Sequence, residues 1–403
     1  MARLVFAGLL LFAAQVSSPQ CGSQPGSTTP SPSGSTIPAS GANVLPIVVN
    51  GGPTNNSLNQ PFASVTICVP GTSNCQTIGG ILVDTGSYGL RILSSAVTIP
   101  LPQQTGAGGA PVVECLPFLD GFAWGPVQTA DVKLAGEQAS GIPIQVIGTD
   151  KFGTIPSGCS SNGSSEENPD DLGSNGVLGI GMGIVDCGNA CGLTGSSNPG
   201  LYYSCPTPTT CQVTTIANAS QVINPVFRFS TDNNGTVIQL TAAQTGGQAS
   251  ASGSLIFGIG TQSNNQLGSA RVLTVDAQGN FSTTFNGTTY NKSFIDSGSN
   301  GIFFLDAATT GLPACRNSTG FYCPPSLRAF SATHVGGNGT SAVVAFNAGN
   351  VDQVNAAFSV FAEATGAQAG GFDWGLPFFY GRTVFTAIAG ASTPGGVGPY
   401  WAW

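Results

Sequence analysis

From Asn43 onward the chain alternates short apolar runs with clusters of Gly, Asn, Ser and Pro, and nowhere sustains a long helical period. Val44-Leu45-Pro46-Ile47-Val48-Val49 and Ala63-Ser64-Val65-Thr66-Ile67-Cys68-Val69 are rich in β-branched residues, as strands are. Pro46 has no N–H to give to a ladder, which predicts an edge position for the first run. Farther on, Pro225-Val226-Phe227-Arg228-Phe229-Ser230 and Gly253-Ser254-Leu255-Ile256-Phe257-Gly258-Ile259-Gly260 read as strands. Phe281–Phe285 and Thr288–Tyr290 flank Asn286-Gly287, the signature of a tight hairpin. The pattern predicts an all-β protein.

Two of the apolar runs end alike. Ile81-Leu82-Val83 enters Asp84-Thr85-Gly86-Ser87, and Phe294-Ile295 enters Asp296-Ser297-Gly298-Ser299, 212 positions later (296 minus 84). Each Asp therefore stands at a strand end, on a loop that Gly turns sharply because it has no Cβ. One such loop is common; one in each half of the chain predicts a duplicated fold whose loops face each other. Two carboxyls brought together cannot both ionise cheaply. One keeps a proton while the other stays charged, which supplies an acid and a base around one water.

These loops resemble those of the pepsin-like aspartic peptidases, and the likeness extends over about residues 44 to 395. Asn175-Gly176-Val177-Leu178-Gly179-Ile180-Gly181 resembles the apolar-apolar-Gly stretch that crosses beneath the first catalytic loop in that family. Phe372-Asp373-Trp374-Gly375-Leu376-Pro377-Phe378 stands in the place of the second, with Asp373 where an apolar residue is usual. Asp120-Gly121-Phe122-Ala123-Trp124-Gly125 resembles the hairpin that closes over the cleft, with Phe118, Phe122 and Trp124 in place of the family's tyrosine. The Asp120 and Asp373 stretches also resemble a bacterial group of exported pepsin-like proteins of unknown function.

The resemblance implies a bilobal fold with a cleft between two pseudo-symmetric lobes, and a catalytic pair Asp84 and Asp296. Thr85 and Ser297 match positions that lock the loops together. Ser87 and Ser299 match positions that bond the outer carboxylate oxygens, and Gly86 and Gly298 supply loop N–H groups. Phe118, Phe122 and Trp124 are the expected flap and substrate-binding residues. The implied reaction is hydrolysis of polypeptide substrate at acid pH, without cofactor or metal, by a monomer.

Composition narrows the class. Only 7% of the 403 residues are charged, while Gly numbers 58. Ten Lys and Arg against eighteen Asp and Glu leave a net charge of −8, which disfavours nucleic acid as a partner. The single histidine, His334, sits in Ala332-Thr333-His334-Val335-Gly336, unlike a catalytic loop, and one histidine excludes a multi-histidine zinc site. Eleven cysteines point to an oxidising compartment. Without Cys21 they make an even set in which Cys68/Cys75, Cys205/Cys211 and Cys315/Cys323 are close in sequence; the connectivity stays open.

Arg3 followed by the apolar stretch Leu4–Val16 reads as a signal peptide over residues 1–18. Residues 19–43 form a Ser/Pro/Gly-rich linker, in which Cys21 is a candidate lipid anchor. The lobes are expected at 44–224 and 225–403. No later stretch suits a membrane span, so the expected location is periplasmic, cell-surface or extracellular. Two functions are carried forward: an exported aspartic endopeptidase, and a non-catalytic pepsin-fold protein that binds peptide or polysaccharide at the cell surface.

Overall fold

The computed structural model describes residue 37 and residues 40–118, 121–148 and 150–403. The signal segment, most of the linker and Cys21 lie outside the described residues, as does Asp120. Strands dominate: one sheet has sixteen and another seven, whereas each of the three α-helices among the described residues has only four residues.

One unit occurs twice. Gly176–Ile180 runs parallel to Cys75–Asp84 and antiparallel to Tyr88–Leu93, so it threads between the strands that enter and leave the first Asp loop. Gln368–Trp374 runs parallel to Thr288–Ile295 and antiparallel to Ile302–Leu305, so it does the same at the second. Glycine is forced at both crossings: a Cβ on Gly179 would lie 2.6 Å from the Tyr88 nitrogen, and one on Gly375 would lie 2.1 Å from the Gly301 oxygen. The fold is all-β, bilobal and pepsin-like.

The halves are joined by more than a linker. Val44–Val49 pairs antiparallel with Ala251–Phe257, from Val44 opposite Ile256 to Val49 opposite Ala251. Pro61–Cys68 meets that strand only at Val48 and Val49. The strand is therefore interior in sheet order, yet Pro46 sits where only one side is paired, which is how a residue without an N–H is accommodated. The Asn286-Gly287 hairpin is formed, with both residues in the left-handed region (φ 48° and 78°).

One expected strand is absent. Pro225–Arg228 is a 3₁₀ turn. Asn224 caps it by accepting from the Val226 N–H at 3.1 Å, and Pro225 stands at the first helical position, where its missing donor costs nothing. Pro225, Val226 and Phe229 are buried as the apolar pattern implies, but Phe227 is exposed, and nothing in that pattern marks the local cap.

The ten described cysteines form five disulfides: Cys68–Cys75, Cys115–Cys159, Cys187–Cys191, Cys205–Cys211 and Cys315–Cys323. Asp352 lies near the last pair, but bonded sulfurs do not ligate a metal as thiolates do, and its carboxylate is already taken by the N–H groups of Arg316, Asn317 and Ser318. His334 is fully buried among Phe281, Trp374, Phe378 and Trp403, and both ring nitrogens lack partners. Burial first, and the Arg382 charge second, push it well below the usual imidazole range, so it is a neutral core residue.

A buried amide clasps the two lobes. Asn59 Nδ2 donates to the carbonyls of Asn300 and Phe361 at 2.9 and 2.8 Å. Its Oδ1 accepts from the Phe361 N–H and the Tyr380 hydroxyl, both at 2.8 Å. Every capacity of the side chain is used on partners in the second half of the chain, one of which, Asn300, directly follows the second Asp loop. Asn59→Ala should cost at least about 1–3 kcal/mol, the penalty for stranding buried polar partners. Urea denaturation reads this directly, and an unchanged midpoint would refute the clasp.

Candidate active site

Asp84 closes a strand whose preceding residues Ile81, Leu82 and Val83 are all buried. The crossing strand flanks it on one side and the Pro61–Cys68 strand on the other, so Asp84 is delivered to a fixed point. Asp296 follows Thr288–Ile295 in the same way. The loops lock to each other through reciprocal bonds. The Thr85 N–H donates to Ser297 Oγ at 3.1 Å, and the Ser297 N–H donates to Thr85 Oγ1 at 2.9 Å. Ser297 Oγ then donates to the Val83 carbonyl at 2.8 Å, and Thr85 Oγ1 reaches the Ile295 carbonyl at 3.5 Å. All four groups are buried, where water offers no competing partner.

This lock sets the carboxyls against each other. A Cβ on Gly86 would stand 2.8 Å from Asp296 Cγ, and one on Gly298 would stand 2.7 Å from Asp84 Oδ1. Each glycine is thus the floor on which the opposite carboxyl rests. Asp84 Oδ1 accepts from the Gly86 N–H at 2.7 Å, and Oδ2 accepts from the Ser87 hydroxyl. Asp296 repeats the arrangement, with Gly298 N–H on Oδ1 and Ser299 Oγ on Oδ2, both at 2.8 Å. Burial pushes Asp296 well above the usual carboxylate range, and the charge and hydrogen bond of Asp84 push the same way. Exposure differs within the pair, 9% for Asp84 against 1% for Asp296. The arrangement can hold one proton between two carboxyls beside a turn of backbone donors.

The eight loop residues expected at the site come together, but the three aromatics do not. Phe122 and Trp124 are buried at 2% and 1% exposure in a separate cluster with Phe152, Tyr203 and the Cys115–Cys159 disulfide. Trp124 spends its indole N–H on the Phe152 carbonyl at 2.8 Å. They cannot line a cleft: the segment that follows this hairpin covers them. Phe118, half-buried, packs on Phe62, Leu82 and Leu172 of the first lobe. Phe122 and Trp124 therefore belong to a small separate core, and Phe118 to the packing of the first lobe.

Sequence reading missed the support behind the first loop. Arg91, fully buried, donates to the Tyr88 carbonyl at 2.7 Å and to Glu114 and Asp186 at 2.7 and 2.8 Å. Tyr202 donates to Asp186 at 2.7 Å and accepts from the Val222 N–H at 2.8 Å. The four residues are scattered over more than a hundred positions, so no local motif announces them; an Arg inside an otherwise apolar strand run (Gly89-Leu90-Arg91-Ile92-Leu93) was the available signal. Tyr88, against whose ring Cβ atoms on Gly181 and Gly183 would collide, has its phenol pushed up by burial and then by the Asp84 charge.

Fold and paired loops define a bilobal β-protein of pepsin-like architecture. The chain belongs to the family described as "Protein of unknown function (DUF3443)", whose profile matches residues 39–403. No curated protein matches its sequence. Among solved structures it is similar to the aspartic proteinase from Irpex lacteus, at 16% identity and a TM-score of 0.48, over 89% of this chain and 96% of that one.

The buried acids fix how stability should depend on pH. Burial raises Asp296 and Asp373 alike. In each case the native state holds a proton that an unfolded aspartate, with its ordinary value near 3.9, has already released. That contribution is fully present below about pH 4 and is lost as pH rises through the elevated folded values. Thermal melting should therefore be higher near pH 5 than near pH 8, and Asp296→Asn should flatten the slope. A melting temperature that climbs from pH 5 to 8 would contradict the burial of these carboxyls.

Proposed function

We propose that the protein is an exported aspartic endopeptidase, hydrolysing peptide bonds with a water activated by Asp84 and Asp296 at acid pH. The observation that carries this reading is the carboxyl pair held in register by the Thr85 and Ser297 bonds. Asp296, the more deeply buried, keeps the shared proton and gives it to the substrate carbonyl oxygen. Asp84 takes a proton from the attacking water, so the pair ends with its roles exchanged and one proton still between them. Ser87 and Ser299 hold the outer oxygens, while the Gly86 and Gly298 N–H groups steady the inner ones. The reaction as written draws on no cofactor or metal. We place the lobes at 44–224 and 225–403, around one polypeptide-binding cleft in a monomer.

Five disulfides support an oxidising, extracytoplasmic setting. No helix among the described residues is long and apolar enough to cross a membrane. A second reading, a non-catalytic protein that binds peptide or polysaccharide, draws support from the hairpin above the first lobe. Gly121 and Phe122 pair with Ser164 and Ser165, and the Cys115–Cys159 disulfide ties the hairpin down, so this element is anchored at its tip.

Incubation with a denatured protein substrate between roughly pH 2 and 7, a span covering both titrations of such a pair, separates the two. Cleavage should peak below about pH 5, be blocked by a statine-type peptide, and fall by at least about 10²–10⁴-fold in Asp84→Asn and in Asp296→Asn, the worth of a positioned acid or base. Absence of cleavage across the whole range hands the protein to the binding reading.

A further inference from the structure

Beneath the second loop lies an acid that a two-carboxyl mechanism does not use. Asp373 is fully buried in the crossing strand, between Phe372 and Trp374, and opposite Phe294 and Phe303 on its two neighbours. Its Oδ2 lies 2.6 Å from Ser299 Oγ, and the same Oγ lies 2.8 Å from Asp296 Oδ2. Its Oδ1 has no partner. The chain Asp84, Asp296, Ser299, Asp373 is thus continuous, and its far end is closed off from water.

Counting hydrogens decides the polarity of that chain. A serine hydroxyl has one hydrogen, so Ser299 can donate to only one of the two carboxyls; the other contact needs a carboxyl O–H. An ionised Asp373 would keep a single hydrogen bond and a bare oxygen in aromatic surroundings, which is costly. The acids facing it, Asp296 and Asp84, oppose its charge as well. Of the neighbouring strands, Thr288–Ile295 carries exposed Lys292 and Tyr290, whose ring rests on Phe372, while Ile302–Leu305 carries no titratable group. Among the described residues no cation pairs with it, and burial pushes Asp373 well above the usual carboxylate range.

We propose that Asp373 is a third, positioning carboxyl, held protonated and donating to Ser299, so that the Ser299 hydrogen is aimed at the outer oxygen of Asp296. Neither Asp373 nor Ser299 gives up its hydrogen; only the direction of each O–H is fixed. The role rests on the endopeptidase reading. When Asp296 releases its proton to substrate, a donor already oriented at Oδ2 stabilises the charge that appears there, and the Asp373 O–H strengthens that donor from behind.

Two measurements test this, and one of them needs no activity. Infrared spectra near pH 7, where ordinary aspartates are ionised, should show a protonated-carboxyl C=O band that Asp373→Asn abolishes and that survives Asp296→Asn. A spectrum whose protonated-carboxyl signal is indifferent to Asp373→Asn overturns the proposal, whether or not the protein cleaves anything. In the active enzyme, Asp373→Asn retains a donor to Ser299 through its amide and should keep the wild-type pH profile of kcat/KM. Asp373→Leu removes the donor and should move the alkaline limb, which reports the Asp296 proton, upward by about half a unit to one unit, the worth of one neutral hydrogen bond. Equal displacement in Asn and Leu variants, or none in Leu, would also overturn it. Should Asp373→Leu fail to fold, the infrared comparison with Asp373→Asn decides alone.

Discussion

The reciprocal bonds between Thr85 and Ser297 are the constraint on which the rest of this structure depends. Each loop supplies a backbone donor and a hydroxyl, and each hydroxyl receives one N–H and passes its own hydrogen toward a carbonyl of the other lobe. Because the four groups are buried, an offset of either loop would strand several of them at once. Tight registration of the loops is what brings Asp296 over Gly86 and Asp84 over Gly298. The glycines at the crossings, Gly179 and Gly375, serve the same end by letting a third strand pass directly beneath each loop.

Holding acids in a dry interior has an electrostatic cost that the protein meets in two ways. Behind the first loop, Arg91 compensates Glu114 and Asp186, and Tyr202 adds a donor. Behind the second loop no cation among the described residues pairs with Asp296 or Asp373, and the charge is removed by protonation instead. The two halves share a backbone plan and differ in how they neutralise what lies under it. A buried ion network of this kind is weak evidence of stability and strong evidence of placement, since removing one partner leaves the others uncompensated.

Much of this was legible in the chain. The Asp-Thr-Gly-Ser and Asp-Ser-Gly-Ser loops, the Gly-containing crossing strands and the Asn286-Gly287 hairpin are local signals, written within a few residues, and each appears where its pattern placed it. The close cysteine pairs also needed only sequence neighbours to meet. What stayed hidden is non-local. Nothing near Phe122 or Trp124 tells that Phe152, Tyr203 and a disulfide will bury them. Nothing near Asn59 tells that Asn300, Phe361 and Tyr380 will surround it, and nothing near Arg91 announces Asp186. Pro225–Arg228 failed for the opposite reason: a local cap by Asn224 overrode an apolar pattern that fitted a strand equally well.

The lock between Thr85 and Ser297 joins positions 212 apart, and the Asn59 clasp reaches Tyr380, 321 positions away. A contact of such span can form only once the intervening chain has been closed into a loop. During synthesis the first lobe emerges with one carboxyl and half a lock. It stays a single-acid fragment until the stretch carrying Asp296 and Ser297 has emerged and met it. The chemistry of the pair is therefore timed by chain order: neither half possesses it, and it arises only in the completed molecule.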